Sequence, residues 1–281
     1  MGDVAAALRD AAAQLAAISV TPRLDAELLM AHALGVGRSD LLLDPGRYGV
    51  PEAFAALVER RLTHEPVAYI VGYRDFWTVR IAVGPGALVP RADSETLLEV
   101  AAAHFAARPP RRILDLGTGP GTLLLAALTE WPGASGMGVD SSEVALGYAR
   151  ANAAALGLAV RAELRQGDWA AGVDGNFDLI LCNPPYIGDA EQLMPEVAAH
   201  EPAGALFAGA DGLEDYRRIL PELPRLLAPG GAALLEIGWT QAAAVTALAD
   251  QAGLTASVHR DLAGRDRALL LQIAADVNAA Q

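Results

Sequence analysis

Asn183-Pro184-Pro185-Tyr186 is the stretch of this sequence whose residue types come closest to chemistry. It follows Phe177-Asp178-Leu179-Ile180-Leu181-Cys182, an apolar run that reads as a buried strand. Neither proline can donate to a sheet ladder, and the residue before each is pushed towards extended backbone. The strand therefore ends in a stiff corner that leaves carbonyls unpaired and facing outwards. An Asn amide beside such carbonyls can hold both hydrogens of a planar –NH2 group while Tyr186 stacks on its face. That arrangement suits methyl transfer to an amide or amino nitrogen. Asn-Pro and Pro-Pro are also ordinary turn dipeptides, and on four residues alone the plain turn stands beside the functional reading.

Further candidates lie upstream. Arg112-Ile113-Leu114-Asp115-Leu116-Gly117-Thr118-Gly119-Pro120-Gly121 reads as a short buried strand running into a glycine-rich turn, then a helix from Thr122 to about Glu130. Glycines let backbone approach a ligand, and a helix N-terminus favours negative charge. Thr122 occupies the position where a dinucleotide Gly-x-Gly-x-x-Gly turn carries its last glycine, which counts against a nicotinamide or flavin enzyme. Asp140 ends the next strand, Gly136-Met137-Gly138-Val139. An acidic residue there can grip the two hydroxyls of a ribose, or cap the helix that follows Ser141-Ser142-Glu143. Gly167-Asp168-Trp169 closes a third strand, roughly Val160 to Gln166. Asp168 could meet an adenine amino group and Trp169 pack on the ring, or the indole is simply packed. Asp115, Gly117, Thr118, Gly119, Pro120, Gly121, Asp140, Asp168, Trp169 and Asn183 are therefore the candidate cofactor residues, and Asn183, Pro184, Pro185 and Tyr186 the candidate catalytic ones.

The elements that must position them alternate. Four strands place candidate groups at their carboxyl ends, where ligands bind in open α/β sheets. Seven strands are expected, the last three near Ala232–Ile237, Thr255–Arg260 and Arg267–Ile273. The last two have no helix between them, which predicts an antiparallel closing strand on an otherwise parallel sheet. Residues 1–72 read as helical, with helices over Val4–Ile18, Pro22–Leu34, Arg38–Leu43 and Pro51–Thr63. Residues 73–90 read as a β-hairpin linker, and 91–281 as the catalytic domain.

Together, Asp115-Leu116-Gly117-Thr118-Gly119-x-Gly121, Asp140, Gly167-Asp168-Trp169 and Asn183-Pro184-Pro185-Tyr186-Ile187 resemble class I S-adenosylmethionine-dependent methyltransferases. More narrowly, the chain resembles the glutamine N5-methyltransferases that modify peptide chain release factors. Pro22-Arg23-Leu24-Asp25-Ala26-Glu27-Leu28-Leu29, Glu65-Pro66-Val67-Ala68-Tyr69-Ile70, Val89-Pro90-Arg91-Ala92-Asp93-Ser94-Glu95, Asp211-Gly212-Leu213-Glu214-Asp215-Tyr216-Arg217, Glu236-Ile237-Gly238 and Asp261-Leu262-Ala263-Gly264-Arg265-Asp266-Arg267 carry that narrower likeness. Pro120 and Ala92 depart from the family's usual residues, and Pro120 puts in doubt how many N–H groups the turn can offer. The resemblance implies a Rossmann-like seven-stranded α/β fold with a small helical substrate-recognition domain, S-adenosylmethionine as cofactor, and release factors as protein substrates. It also implies that Arg91, Asp93 and Glu95 lie near the pocket; helix capping is the other reading of Asp93. Glu236 stands between pocket and structural roles.

Composition agrees. The 281 residues are 53% hydrophobic, with a mean hydropathy of +0.27, enough for a sizeable core. No apolar run reaches a membrane span, and Met1-Gly2-Asp3 has no basic, signal-like character. One cysteine, Cys182, excludes an internal disulfide, and the five His lack ligand spacing, so no metal is expected. A cytoplasmic monomer is the expectation. All 21 basic residues are Arg, and the net charge of −13 with a pI near 4.7 is opposite to the footprint of a nucleic-acid binder. This disfavours N6-adenine methylation of nucleic acid, for which a similar corner serves; Arg111-Arg112 and Arg217-Arg218 read as solvated ends. Glutamine methylation of a ribosomal protein, and a non-catalytic module that keeps the fold, are the remaining alternatives.

Overall fold

The computed structural model describes residues 3–274, so Met1 and Gly2, on which the reading of the opening tripeptide rests, lie outside it, as do the last seven residues. Two compact units divide the chain. Among the described residues, one runs to Tyr73 and includes Val83–Pro85 and Leu193–Glu201; the other comprises Arg74–Ala82, Gly86–Gln192 and those from Pro202 onwards.

The first unit is helical: α1 (Val4–Leu15), α2 (Pro22–Leu34), α3 (Arg38–Leu43), α4 (Ala53–Leu62) and α5 (Val67–Val71). Asp3 caps α1 by accepting the Ala5 N–H. Pro22 opens α2, and Gly35 closes it in the left-handed region. Leu8, Leu15, Leu29, Met30 and Leu41 form its core. Its buried charges are paired: Arg61 Nε donates to Asp25 at 2.9 Å and its Nη2 to Glu196 at 2.6 Å, while Glu27 holds Arg23 and Arg38. α1 and α4 are shorter than expected, and α5 has too few residues to show a helical period.

The second unit begins with a two-stranded ribbon, β1 (Tyr73–Phe76) and β2 (Val79–Ala82), whose Phe76, Val79 and Ile81 are buried. Then follow α6 (Glu95–His104), β3 (Arg112–Leu116), α7 (Thr122–Glu130), β4 (Ser135–Asp140), α8 (Glu143–Ala155), β5 (Ala162–Gln166) and β6 (Phe177–Cys182). After α9 (Pro195–His200), which belongs to the helical unit, come α10 (Glu214–Ile219), α11 (Leu223–Leu226), β7 (Leu227–Glu236), α12 (Ala242–Gln251), β8 (Leu254–Arg260) and β9 (Asp266–Ile273). β7 starts earlier than expected because Pro229-Gly230-Gly231 reads as a turn, yet the strand carries it through an irregular register against β6.

The seven strands lie in the order β5-β4-β3-β6-β7-β9-β8. All neighbours are parallel except β9, which is antiparallel to β7 and β8. Alternate residues of the central strands feed two cores: Ile113, Leu179, Leu181 and Leu234 on one face, Leu114, Leu116, Ile180 and Leu235 on the other. Strands buried on both faces are predominantly apolar, which makes them legible in the sequence. Each fully buried Leu contributes about 2 kcal/mol. The connections turn one way after β3 and the other way after β6, and these two strands are neighbours, with Leu116 beside Cys182. That switch point opens a crevice beyond their carboxyl ends.

Candidate active site

A cavity of about 310 Å³ occupies this crevice, within the range of small-molecule sites. Gly117, Thr118, Gly119 and Pro120 line it after β3, Asp140 after β4, Gly167, Asp168 and Trp169 after β5, and Asn183 and Pro185 after β6. Residues from four strands thus converge as their positions predict. Pro184 and Tyr186 are not among its lining residues, and neither is Gly121. A Cβ on Gly121 would stand 2.8 Å from Leu125, so this glycine admits a helix packed close beneath the turn.

Asp115 is 1% exposed. Its Oδ2 accepts from Thr118 Oγ1 at 2.6 Å and from the Leu124 N–H at 3.2 Å, binding the turn to the first turn of α7. Its Oδ1 is buried without a hydrogen-bond partner, and the residue borders the cavity. Burial, opposed by those two hydrogen bonds, pushes the carboxyl from 3.8 to about 7. An orphaned buried carboxylate oxygen beside a cavity calls for a donor or cation from a ligand.

Asp140 accepts the Gly119 N–H at 2.7 Å through Oδ2 and the Ser142 N–H at 2.8 Å through Oδ1. Each oxygen keeps a lone pair, so ordering the turn and holding a hydroxyl pair are compatible. Ser142, not Asp140, caps α8. Pro120 lacks an N–H, and its carbonyl is taken by Asn152 Nδ2 at 2.9 Å. Trp169 has a left-handed backbone, φ 48, and its ring closes on Gly117 while its Nε1 donates to Asp215 at 3.0 Å. Asp168 is paired with Arg218 at 2.6 Å.

The corner after β6 is braced from several elements. Tyr186's carbonyl accepts from Gln241 Nε2 at 2.9 Å, and Ile187 exchanges backbone hydrogen bonds with Leu206 and Ala208. Asn183 Nδ2 donates to Ser94 Oγ at 3.2 Å. Glu236, fully buried, accepts from Ser94 Oγ through one oxygen and from Tyr186 Oη at 3.2 Å through the other. Burial raises the pKa of Glu236, and it raises that of the Tyr186 phenol.

Residues 6–72 match the family model of the PrmC N-terminal domain, and residues 109–266 match that of a methyltransferase domain. A release factor glutamine methyltransferase of Rhodospirillum rubrum is 47% identical over 255 residues, covering 89% of this chain and 78% of the relative. One of Cereibacter sphaeroides is 46% identical over 268 residues, covering 93% and 95%. The chain belongs to the release factor glutamine methyltransferase family. The ribosomal protein L11 methylase of Lactobacillus delbrueckii subsp. bulgaricus superposes with a TM-score of 0.50 at 22% identity, over 66% of this chain and 81% of that one. A methyltransferase from Pyrococcus furiosus gives 0.51 at 21%, over 68% and 86%. Both share the fold of the catalytic unit.

Within this family member the capping reading of Asp93 needs correction. Asp93 caps no helix: α6 has no side-chain cap, and Asp93 pairs with Arg267 at 3.3 Å. Arg91 and Ser94 line the cavity, and Glu95, next to Ser94, accepts the Trp77 N–H at 2.8 Å. Arg218, in the last turn of α10 and half-exposed as a solvated helix end should be, also stands on the cavity wall against Asp168. Ser94 and Asp215 were missed as site residues; Ser94 stood inside a quoted segment, but its partner in the sheet is 142 residues away. Buried Arg267, at the start of β9, ties Asp261, the Ile237 carbonyl and Asp93 together. No described helix is long and apolar enough to cross a membrane.

Proposed function

We propose that this protein transfers a methyl group from S-adenosylmethionine to the side-chain N5 of the glutamine in the Gly-Gly-Gln motif of peptide chain release factors. The observation that carries this reading is Asn183 on the wall of the same cavity as the glycine turn and Asp140. S-adenosylmethionine, when bound, supplies an electrophilic methyl group on a positively charged sulfur.

The residues present fit that cofactor. The partnerless Asp115 oxygen would take its ammonium, Asp140 the ribose hydroxyls, and Asp168 with Trp169 the adenine. Gly117, Thr118, Gly119 and Pro120 let its chain lie along the turn, and Gly121 admits the helix behind it.

An amide nitrogen is a poor nucleophile because its lone pair is delocalised into the carbonyl, and it cannot be deprotonated near neutral pH. Asn183 Oδ1 and the Pro184 carbonyl would accept its two hydrogens and fix it in line for attack. Tyr186 would stack on the amide plane, and Pro185 keeps the corner rigid. Positioning and preorganised dipoles then provide the catalysis, with no strong base. The helical domain, residues 1–72, would recognise the protein substrate, with 73–90 joining it to the catalytic domain at 91–281. A cytoplasmic monomer without direct nucleic-acid binding completes the reading, in keeping with the charge of −13.

The test is Asn183→Ala. Turnover should fall by at least about 100-fold while cofactor affinity stays within a few-fold. Retention of most turnover would sink the assignment.

A further inference from the structure

Asn183 reaches Glu236 through a single hydroxyl. Asn183 Nδ2 is 3.2 Å from Ser94 Oγ, which is 2.5 Å from Glu236 Oε2. Ser94 and Glu236 are both buried, 3% and 1% exposed. A serine hydroxyl carries one hydrogen, and Ser94 Oγ donates it to Glu236 Oε2. The Ser94 hydrogen is therefore committed to Glu236, and Asn183 meets an acceptor. Its amide must turn its NH2 towards Ser94, which leaves the carbonyl oxygen for the opposite side.

We propose that Glu236 and Ser94 are positioning residues that set the polarity of the Asn183 amide, so that its oxygen rather than its NH2 is offered to the nitrogen that receives the methyl group. This rests on the reading of Asn183 as the acceptor for the target amide. Reversal would be costly: a hydroxyl freed from Glu236 can donate to Asn183 Oδ1 and turn the NH2 towards an incoming NH2, donor against donor. Tyr186 Oη fills the second oxygen of Glu236, and Tyr216 Oη donates to its backbone carbonyl at 2.8 Å. Burial raises the pKa of Glu236, and the Ser94 hydrogen bond and Arg267 from β9 oppose that rise. The relay is thus closed on every side by groups that hold the glutamate in one place.

The experiment compares Glu236→Gln, Glu236→Leu, Ser94→Ala, the Glu236→Leu/Ser94→Ala double variant and Asn183→Ala in the full chain. It reads kcat on unmethylated release factor and Kd for S-adenosylmethionine. Glu236→Gln can still accept from Ser94 and should stay within a few-fold of wild type. Glu236→Leu frees the hydroxyl and should lower kcat about 10- to 100-fold with Kd nearly unchanged. Adding Ser94→Ala to Glu236→Leu removes the wrongly directed donor and should restore part of that loss. A merely structural role would make the double variant worse than either single one, and that result overturns the proposal. So does full turnover of Glu236→Leu while Asn183→Ala is inactive. Should Glu236→Leu fail to fold, Ser94→Ala decides: a loss of several-fold in kcat at unchanged Kd supports the relay, and wild-type kcat overturns it. An active Asn183→Ala instead removes the underlying reading of the acceptor.

Discussion

Gly212 lies directly under the carbonyl of Tyr186: a Cβ on Gly212 would stand 2.4 Å from that oxygen. Gly212 also has φ +69, and Gln241 Nε2 bonds both the Tyr186 and Gly212 carbonyls. The loop before α10 is therefore pressed against the back of the Asn183 corner, and no side chain fits between them. Gly212→Ala must push the corner outwards or strain its own backbone, at a cost of about 1–3 kcal/mol. Turnover should fall about tenfold or more with cofactor affinity retained, because Gly212 does not line the cavity. Parallel kinetics and calorimetry check this.

The proposed contact between Asp115 and the cofactor's ammonium predicts pH-dependent binding. Burial pushes the Asp115 carboxyl up from 3.8 to about 7. Between those values the native state holds a proton that the unfolded chain has released, so this group makes stability fall as pH rises from about 4 to about 7. A bound ammonium prefers the ionised form, so S-adenosylmethionine affinity should rise with pH up to about 7 and then level. Below that point the dissociation constant should weaken by up to about tenfold per pH unit. Asp115→Asn should bind more weakly at pH 8 and lose the slope. Calorimetric titrations from pH 5.5 to 8.5 would decide; a wild-type affinity flat across that range contradicts the role given to Asp115.

In the helical unit, Arg61 is the hinge of a buried charge network with Asp25 and Glu196. Truncation leaves Asp25 buried without its cation. Arg61→Ala should destabilise this unit by about 3 kcal/mol. Hydrogen exchange of the α2 and α4 amides should accelerate by roughly 100-fold, corresponding to that figure. Exchange at wild-type rates would show the network to be dispensable.

Much of the catalytic unit was legible because its signals are local. β3 and β6 are mostly apolar, interrupted by Arg112 and Asp115 in one and Asp178 in the other, each ends in a chemically distinctive turn, and their carboxyl ends had to face a common crevice once the sheet was parallel. What escaped depends on pairings between distant segments. Nothing near Asp93 says that it faces Arg267, nor near Arg218 that it meets Asp168. Ser94 is one of several serines until the sheet brings Glu236 to it. Gly121 belonged to the glycine pattern, yet it serves the packing of α7 rather than the cavity, because glycines that admit a ligand and glycines that admit a helix look alike in sequence. The helical unit was read from periodicity, but α9 joins it from Pro195–His200, far along the chain, and no local pattern could assign it there.

The most direct measurement is transfer of labelled methyl from S-adenosylmethionine to purified, unmethylated release factor, with the modified residue located by mass spectrometry. A factor carrying Gln→Ala in Gly-Gly-Gln and a DNA duplex serve as parallel substrates. Label on that glutamine alone, absent from the Gln→Ala factor and from the duplex, is the predicted result. An unlabelled factor despite bound cofactor, or label on the duplex, would contradict the assignment of the substrate.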